Sequence, residues 1–191
     1  NRKYTEADLF YLNEIWNSWH HHSRFSGIDK EQVLQGMNDA VEEAHHFLKQ
    51  ADWVIITLGS SFSYILSSEN PEKERNDLHV ANCHRAPGQW FYKKMLGIEE
   101  IIAAMDNTYH RLRQFNPKLK ILFTVSPVRH LRDGVIDNNR SKARLIEVVH
   151  YLVDKFPDVY YFPAYELVID VLRDYRFYDV DLAHPNYQAT E

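Results

Sequence analysis

Three short apolar runs alternate along the chain with segments in which apolar residues recur every three or four positions. The runs are WVIITLG (53–59), KILFTVSP (120–127) and VYYFPAY (159–165), and β-branched and aromatic residues dominate each of them. Nearly continuous apolar runs of this length are typical of strands buried on both faces of a parallel sheet. The three segments are therefore predicted to be such strands.

Helical periodicity fills the stretches before and between these strands. Residues 29–50 begin with Asp29, a residue type favoured as an N-cap, and residues 98–115 and about 140–155 repeat the spacing. The apolar positions that carry the pattern include Val33, Met37, Val41, Ile98, Ile102, Met105, Leu145, Val148, Val149 and Leu152. Alternating helices and strands predict an α/β layer fold with right-handed crossovers.

The segment 60–97 departs from this alternation. It holds SSENPEKERND (67–77), a polar and turn-rich stretch predicted to be a surface loop, followed by HVANCHRAPGQW (79–90). A long excursion between a strand and the next helix is more often functional or disordered than structural filler. Neither an internal repeat nor a shift in composition divides the chain, so a single domain over residues 1–191 is predicted.

Composition excludes several classes of function. The 191 residues are 45% hydrophobic and 14% aromatic, which is typical of a folded globular protein. The net charge of −5 and the short, scattered basic clusters argue against a nucleic-acid partner. Cys83 is the only cysteine, which excludes a disulfide framework and a multi-cysteine metal site within the chain.

Location and assembly are less constrained by the sequence. No apolar run approaches the roughly 20 residues that a membrane-spanning helix needs, and the first residues lack a signal pattern. With the single cysteine, these features favour a cytoplasmic location, although the chain also lacks an initiator Met. Nothing in the sequence fixes the oligomeric state.

The residues that follow the predicted strands are expected to share one surface. Ligands of open α/β sheets bind beyond the carboxyl ends of the strands, so side chains placed there are candidates for binding. Arg129 and His130 follow the second strand, and they are interpreted either as substrate contacts or as a capping or solvent-facing pair. The other candidates at this edge or in the long loop are Gly59, Ser60, Ser61, Ser63, Ser126, Tyr165, Asn82, Cys83 and His84.

The segment DVDLAHPN (179–186) concentrates carboxylates beside a histidine. Pro185 suits the first position of a helix, which would place His184 at the cap. Asp181, three residues earlier, is then expected to bind one imidazole nitrogen of His184. A carboxylate there fixes the tautomer and stabilises the imidazolium that forms when the other nitrogen accepts a proton from a nucleophile. The alternative is a polar loop without chemistry.

Histidines and the single thiol suggest two other chemistries. The chain has 11 histidines, and HHHSRF (20–25) invites a metal interpretation. Three adjacent histidines cannot all face one ion from a helix or strand, so a polar loop or a substrate-side histidine is preferred, and a metal-assisted hydrolase stays an alternative. Because a nucleophilic cysteine needs a base across space, Cys83 is interpreted as a small buried side chain, with Asn82 and His84 at the rim of the site.

Six stretches that cover nearly the whole chain carry a resemblance to a known family. They are HHSRFS (21–26), VIITLGSSFSY (54–64), VANCHR (80–85), FNPKLKILFTVSPVRHLRDG (115–134), YYFPAYE (160–166) and DYRFYDVDLAHP (174–185). In this order they resemble the GSCFA family, which is related to the SGNH (GDSL-like) hydrolases. The resemblance implies a three-layer α/β/α, flavodoxin-like fold with an SGNH-hydrolase-type parallel sheet, in which Asp181 and His184 match the DxxH pair.

The chain departs from the pattern of its relatives at two places. Gly59 resembles the glycine of the third SGNH block, Gly-x-Asn-Asp, but Ser61 and Phe62 stand where Asn and Asp would be. The Gly-Ser-Cys-Phe-Ala string that names the family, with the serine taken as nucleophile, does not occur; the nearest string, LGSSFS (58–63), follows a later strand. We therefore expect an internal portion of a longer protein, with an incomplete sheet and the nucleophilic serine upstream.

The function that the resemblance implies is that of a serine hydrolase or acyltransferase acting on a carboxylic ester, such as an acyl or acetyl group on a small molecule or carbohydrate. His184 would be the general base and Asp181 would orient it, without metal or organic cofactor. The oxyanion and substrate contacts would come from Gly59, Ser60, Asn82, His84, Arg129 and His130. The alternative is a non-catalytic ligand-binding module on the same fold.

Overall fold

The computed structural model describes residues 3–71, 75 and 77–191, so positions 72–74 and 76 of the predicted polar loop lie outside the described residues. The strands are β1 (Phe10–Leu12), β2 (Ile15–Asn17), β3 (Trp53–Leu58), β4 (Phe62–Leu66), β5 (Phe91–Met95), β6 (Lys120–Val125) and β7 (Val159–Phe162). The helices are α1 (Lys30–Gln50), α2 (Ile98–Phe115), α3 (Val135–Lys155), the single turn α4 (Ala164–Glu166) and the short α5 (Tyr187–Thr190).

The chain divides into two compact units. The first comprises Asn1–Gln50 and Ser63–Lys94, and the second comprises Ala51–Phe62 and Met95–Glu191. The first unit contains the β1–β2 hairpin, α1 and most of the paired strands β4 and β5. These two strands lie within the segment in which the sequence predicted only an excursion. The single domain over residues 1–191 remains a prediction.

A three-stranded parallel sheet forms the centre of the second unit, so the predicted α/β class is confirmed. The strand order is β3-β6-β7, with Trp53 paired to Lys120 and Ile121 paired to Val159. Parallel strands that follow each other in chain order through right-handed crossovers place successive helices on the same face of the sheet. Both long helices of this unit, α2 and α3, contribute to one apolar core against that face.

The core of the second unit joins α3 to the sheet. Its buried members are Ile101, Ile121, Phe123, Val125, Leu145, Val148, Val149, Leu152, Phe156 and Val159. The apolar positions predicted within 140–155 are therefore correct. However, α3 begins at Val135, about five residues before the predicted start, because its first buried positions are the polar residues Asn138, Ser141 and Lys142. Apolar periodicity in the sequence does not reveal polar residues that are buried.

Strands β3 and β7 are not buried on both faces, contrary to the prediction. Exposed side chains alternate with more buried ones: on β3 Trp53 is 46% exposed and Ile55 is 65% exposed, and on β7 Tyr160 and Phe162 are exposed. The reason is that the described helices packed on the sheet within this unit, α2 and α3, cover the opposite face. Strand β6, in the centre, is buried over most of its length.

Over the described ranges of the chain, none of the helices is both long enough and apolar enough to cross a membrane.

The contact of α3 with the sheet should dominate the stability of the second unit. Leu152 is 1% exposed, and Leu152→Ala is expected to lower the free energy of unfolding by about 2–5 kcal/mol, because the truncation leaves a cavity between helix and sheet. Ile136→Ala on the same helix is the matched control; Ile136 is 74% exposed, and a change within about 0.5 kcal/mol is expected. Urea unfolding followed by circular dichroism measures both. Equal losses in the two variants would contradict the assigned core.

Candidate functional site

A tight turn brings the Asp181 carboxylate onto the His184 ring, as the sequence predicted. The Nδ1–H of His184 donates to Oδ2 of Asp181 at 2.6 Å. The other carboxylate oxygen, Oδ1, accepts the backbone N–H groups of Ala183 at 2.9 Å and of His184 at 3.0 Å. One short segment therefore supplies three hydrogen bonds to one carboxylate, and it fixes the ring and the carboxylate relative to each other.

The backbone of this turn is strained. Leu182 has a φ of 55°, in the left-handed region, which costs a residue with a β-carbon roughly 1–2 kcal/mol. Two hydrogen bonds hold it there: the N–H of Leu182 donates to the Asp179 carbonyl at 2.9 Å, and the Asp179 N–H donates to the His184 carbonyl at 2.8 Å. Backbone strain of this kind is concentrated at functional sites.

The helix after the turn starts later than predicted. Pro185 is not its first residue and His184 is not its cap, because α5 begins at Tyr187. Oδ1 of Asn186 accepts the Ala189 N–H at 3.3 Å, so Asn186 is the N-cap; its side chain can satisfy a free N–H of the first turn, which is why this residue type is favoured there. Pro185 instead forms an isolated β-bridge with Tyr178. His184 therefore lies in the turn itself.

Hydrogen bonds keep the Asp181 carboxylate ionised. The backbone N–H of His184, then that of Ala183, and then the His184 ring lower the pKa of Asp181 from 3.8 to about 2. An ionised carboxylate only accepts hydrogen bonds, so Nδ1 of His184 carries the proton and, in the neutral ring, Nε2 is left as an acceptor. The His184 side chain is 59% exposed, and Nε2 has no hydrogen-bond partner among the residues that the structure describes. The ring can therefore accept a proton from an incoming group.

Arg129 attaches the loop after β6 to this turn. Its backbone N–H donates to the Ala183 carbonyl at 3.0 Å, and Nη1 donates to the Leu182 carbonyl at 3.4 Å. The guanidinium also lies over the Tyr178 ring at 4.2 Å and the Tyr175 ring at 5.2 Å. These contacts give Arg129 a structural role next to the pair of Asp181 and His184. A contact of Arg129 with substrate remains a prediction.

The polar residues at the start of α3 hold the loops that follow β3 and β6. Asn138 Oδ1 accepts the backbone N–H of His130 at 2.8 Å, and Ser141 Oγ accepts the backbone N–H of Ser61 at 2.7 Å. The two strand ends are also joined directly, because the Ser126 N–H donates to the Leu58 carbonyl at 2.9 Å. Gly59, Ser60, Arg129 and His130 are thereby placed on loops of the second unit, together with the Asp181–His184 pair.

Lys142 is a buried residue of this region that the sequence reasoning missed. It is 1% exposed, and Nζ donates to the carbonyl oxygens of Gly59 and Ser126, each at 2.6 Å. Burial lowers the pKa of Lys142 to about 8. One signal could have revealed it: Asn138, Lys142, Leu145, Val149 and Leu152 follow each other at spacings of four and three, so a lysine occupies the apolar stripe of the helix.

Asn82 and His84, the other predicted contacts, belong to the first unit. His84 is 8% exposed and packs edge-on against Phe10 and Trp19. Its ring Nε2 lies 2.8 Å from the Ser18 carbonyl oxygen, and its backbone N–H donates to Oδ1 of Asn82 at 2.7 Å. Burial lowers the pKa of His84. A role of either residue in binding an oxyanion or substrate remains a prediction.

The remaining candidates have local structural roles. His22 caps the 3-10 turn Ser23–Phe25 by accepting the Arg24 N–H at 3.1 Å on Nδ1, which agrees with a polar loop at HHHSRF. Cys83 is half-buried rather than fully buried, and burial raises the pKa of its thiol. Across residues 3–71, 75 and 77–191, no three or more His, Cys, Asp or Glu side chains are grouped so that they could hold a metal ion.

The family model described as GSCFA family matches residues 1–191, the whole chain. None of the curated proteins compared matches the chain.

The low pKa of Asp181 can be measured by carbon NMR of its carboxyl group. We expect this signal to stay at its ionised position as the pH falls from 6 to about 3, where an ordinary aspartate is mostly protonated. In His184→Ala the midpoint should rise but stay below 3.8, because the two backbone N–H donors remain. The folded-state pKa is lower than the unfolded one, so the stability from this turn is complete above pH 3.8 and is lost as the pH falls through about 2. A wild-type midpoint at 3.8 or above would contradict the geometry.

Proposed function

The chain belongs to the GSCFA family, and on that premise we propose that it acts as an SGNH-type serine hydrolase or acyltransferase on a carboxylic ester. The observation that carries the proposal is the contact of 2.6 Å between Asp181 Oδ2 and His184 Nδ1, which leaves Nε2 of an exposed ring available. This arrangement is that of a histidine general base oriented by a carboxylate. The proposed substrate is an acyl or acetyl ester of a small molecule or a carbohydrate.

The proposed reaction proceeds through an acyl-serine, with His184 transferring the proton and Asp181 stabilising the charged ring. A serine hydroxyl attacks the ester carbonyl, and its proton passes to Nε2 of His184. The tetrahedral intermediate then expels the alcohol, which takes that proton from Nε2. Water or an acceptor alcohol then attacks the carbonyl of the acyl-serine and passes its proton to Nε2. The serine leaves and takes that proton back. Asp181 stays ionised throughout and stabilises the imidazolium.

The nucleophile is proposed to lie upstream of residue 1. The string Gly-Ser-Cys-Phe-Ala does not occur in the 191 residues. Among the described residues, no hydroxyl or thiol forms a hydrogen bond with Nε2 of His184. Ser60, in the string LGSSFS, is not proposed as the nucleophile. It follows β3, whereas the serine that names the family belongs to a strand upstream of β3.

A ligand-binding module without catalysis is the second candidate, and one observation favours it. Ser61 stands where related enzymes carry an amide side chain, is 2% exposed, and donates its backbone N–H to Ser141. Its backbone N–H is therefore engaged and its hydroxyl is buried, so neither is presented to an oxyanion. The two candidates differ in whether a serine is placed against His184.

Ester hydrolysis by the natural full-length protein tests the proposal. Wild type, His184→Ala and Asp181→Asn are compared with p-nitrophenyl acetate and butyrate, together with labelling by a fluorophosphonate serine probe. We expect kcat to fall by about 10⁴-fold in both variants, because the serine loses its base in one and the ring loses its orientation in the other. Probe labelling should fall in parallel.

His110→Ala is the matched control. His110 also faces an aspartate one helical turn away, with Nε2 at 3.4 Å from Oδ2 of Asp106, but on the surface of α2. This variant should keep wild-type activity. A folded wild-type protein that neither hydrolyses the esters nor reacts with the probe would contradict the hydrolase proposal and favour the binding module.

A further inference from the structure

Lys142 fixes the direction of one peptide group at the end of β3. Its Nζ donates to the Gly59 carbonyl at 2.6 Å from the α3 side. The structure has no cis peptide bonds among the described residues, and in a trans peptide the N–H points opposite to the C=O. The N–H of Ser60, which shares this peptide group, therefore points away from Lys142 and α3. It has no acceptor among the residues that the structure describes.

The same contact should make this N–H a stronger donor. A cation at the carbonyl oxygen draws electron density from the amide, so the N–H of that group carries more positive charge. Lys142 also binds the Ser126 carbonyl, but the next residue is Pro127, which has no N–H. Of the two peptide groups that Lys142 holds, only the one between Gly59 and Ser60 can donate.

Among the residues that the structure describes, no carboxylate forms an ion pair or hydrogen bond with Lys142. Burial is the cause that lowers its pKa. The two arginines nearest to it on α3 have other partners: Arg140 pairs with Asp137, and Arg144 donates to the Met95 and Leu96 carbonyls. An unneutralised buried cation favours negative charge that develops close to it.

We propose that the Ser60 N–H donates to the oxyanion of the tetrahedral intermediate, and that Lys142 is the positioning residue that aims and polarises this N–H. The inference rests on the proposed ester chemistry. It supplies a main-chain donor at the end of β3, where the Ser61 hydroxyl is buried. It also gives a reason for burying a lysine in the apolar stripe of α3, where methionine would pack at lower cost.

Four variants of the natural full-length protein test the inference by ester kinetics. Lys142→Met removes the charge and keeps the length of the side chain, and kcat should fall by about 10- to 100-fold with KM within about twofold. Ser60→Pro removes the N–H, whereas Ser60→Ala keeps it, so the loss of kcat in the first should exceed the loss in the second by at least about tenfold. Lys155→Met, an exposed lysine at the end of the same helix, is the control and should keep wild-type kcat.

Carbon NMR provides a readout that does not require activity. Gly-Ser occurs once in residues 1–191, at Gly59 and Ser60, so labelling glycine carbonyls with ¹³C and serine amides with ¹⁵N marks this peptide group, and Ser60→Ala assigns its signal. The wild-type carbonyl signal should move as the pH rises through about 8, the pKa of Lys142, and should not move in Lys142→Met. If Lys142→Met does not fold, the titration of the wild-type signal still tests the role of Lys142.

The outcomes separate the inference from the function on which it rests. Active wild type with unchanged kcat in Lys142→Met and in Ser60→Pro would overturn the inference while the hydrolase proposal stands. A Gly59 signal that does not respond to pH would overturn the role of Lys142 whatever the activity. A responding signal in a wild type that is silent toward esters would refute the hydrolase proposal and the oxyanion donor, and would leave Lys142 as the residue that fixes this peptide.

Discussion

The packing of one helix stripe against the parallel sheet underlies both the core and the candidate site. The carboxyl-terminal part of the α3 stripe is apolar and forms the core with β6 and β7, through Leu145, Val149 and Leu152. The amino-terminal part of the same stripe is polar and buried, and it binds the loops that leave β3 and β6. Because both parts lie on one helix, the packing of α3 in the core also fixes the positions of the loops. A site on such loops has less freedom than its irregular backbone suggests.

The turn with Asp181 and His184 depends on this helix only indirectly. Arg129 connects it to the β6 loop, and within the turn the carboxylate is held mainly by backbone N–H groups. The ring is therefore oriented by local geometry, while the location of the turn is set by tertiary contacts. This division explains how an exposed pair can remain ordered: its two members are three residues apart, so their contact costs little chain entropy.

Local patterns were readable in the sequence, and features that depend on distant partners were not. Helix α2 was predicted with its observed ends, since its apolar residues recur regularly from Ile98 to Phe115. The contact of Asp181 with His184 followed from their spacing. The start of α3 was missed because the polar residues there are buried against backbone groups of the loops after β3 and β6, and the cap at Asn186 was missed because Pro185 offered a competing signal. Strands β4 and β5 were missed because both are short, and the pairing that holds them is with each other across the long excursion.

The connections of the sheet favour one order of folding over another. Strands β6 and β7 are joined through α3 alone, whereas the pairing of β3 with β6 must close a loop that contains Ser63–Lys94. Since closing the longer loop costs more entropy, we expect the β6–α3–β7 element, whose contacts are more local, to form the folding nucleus. The Ser126 carbonyl then meets Lys142 within this nucleus, before the Gly59 carbonyl arrives with β3. In a chain folded only this far, the ammonium group of Lys142 would still contact water. Its burial would then be completed when β3 pairs with β6.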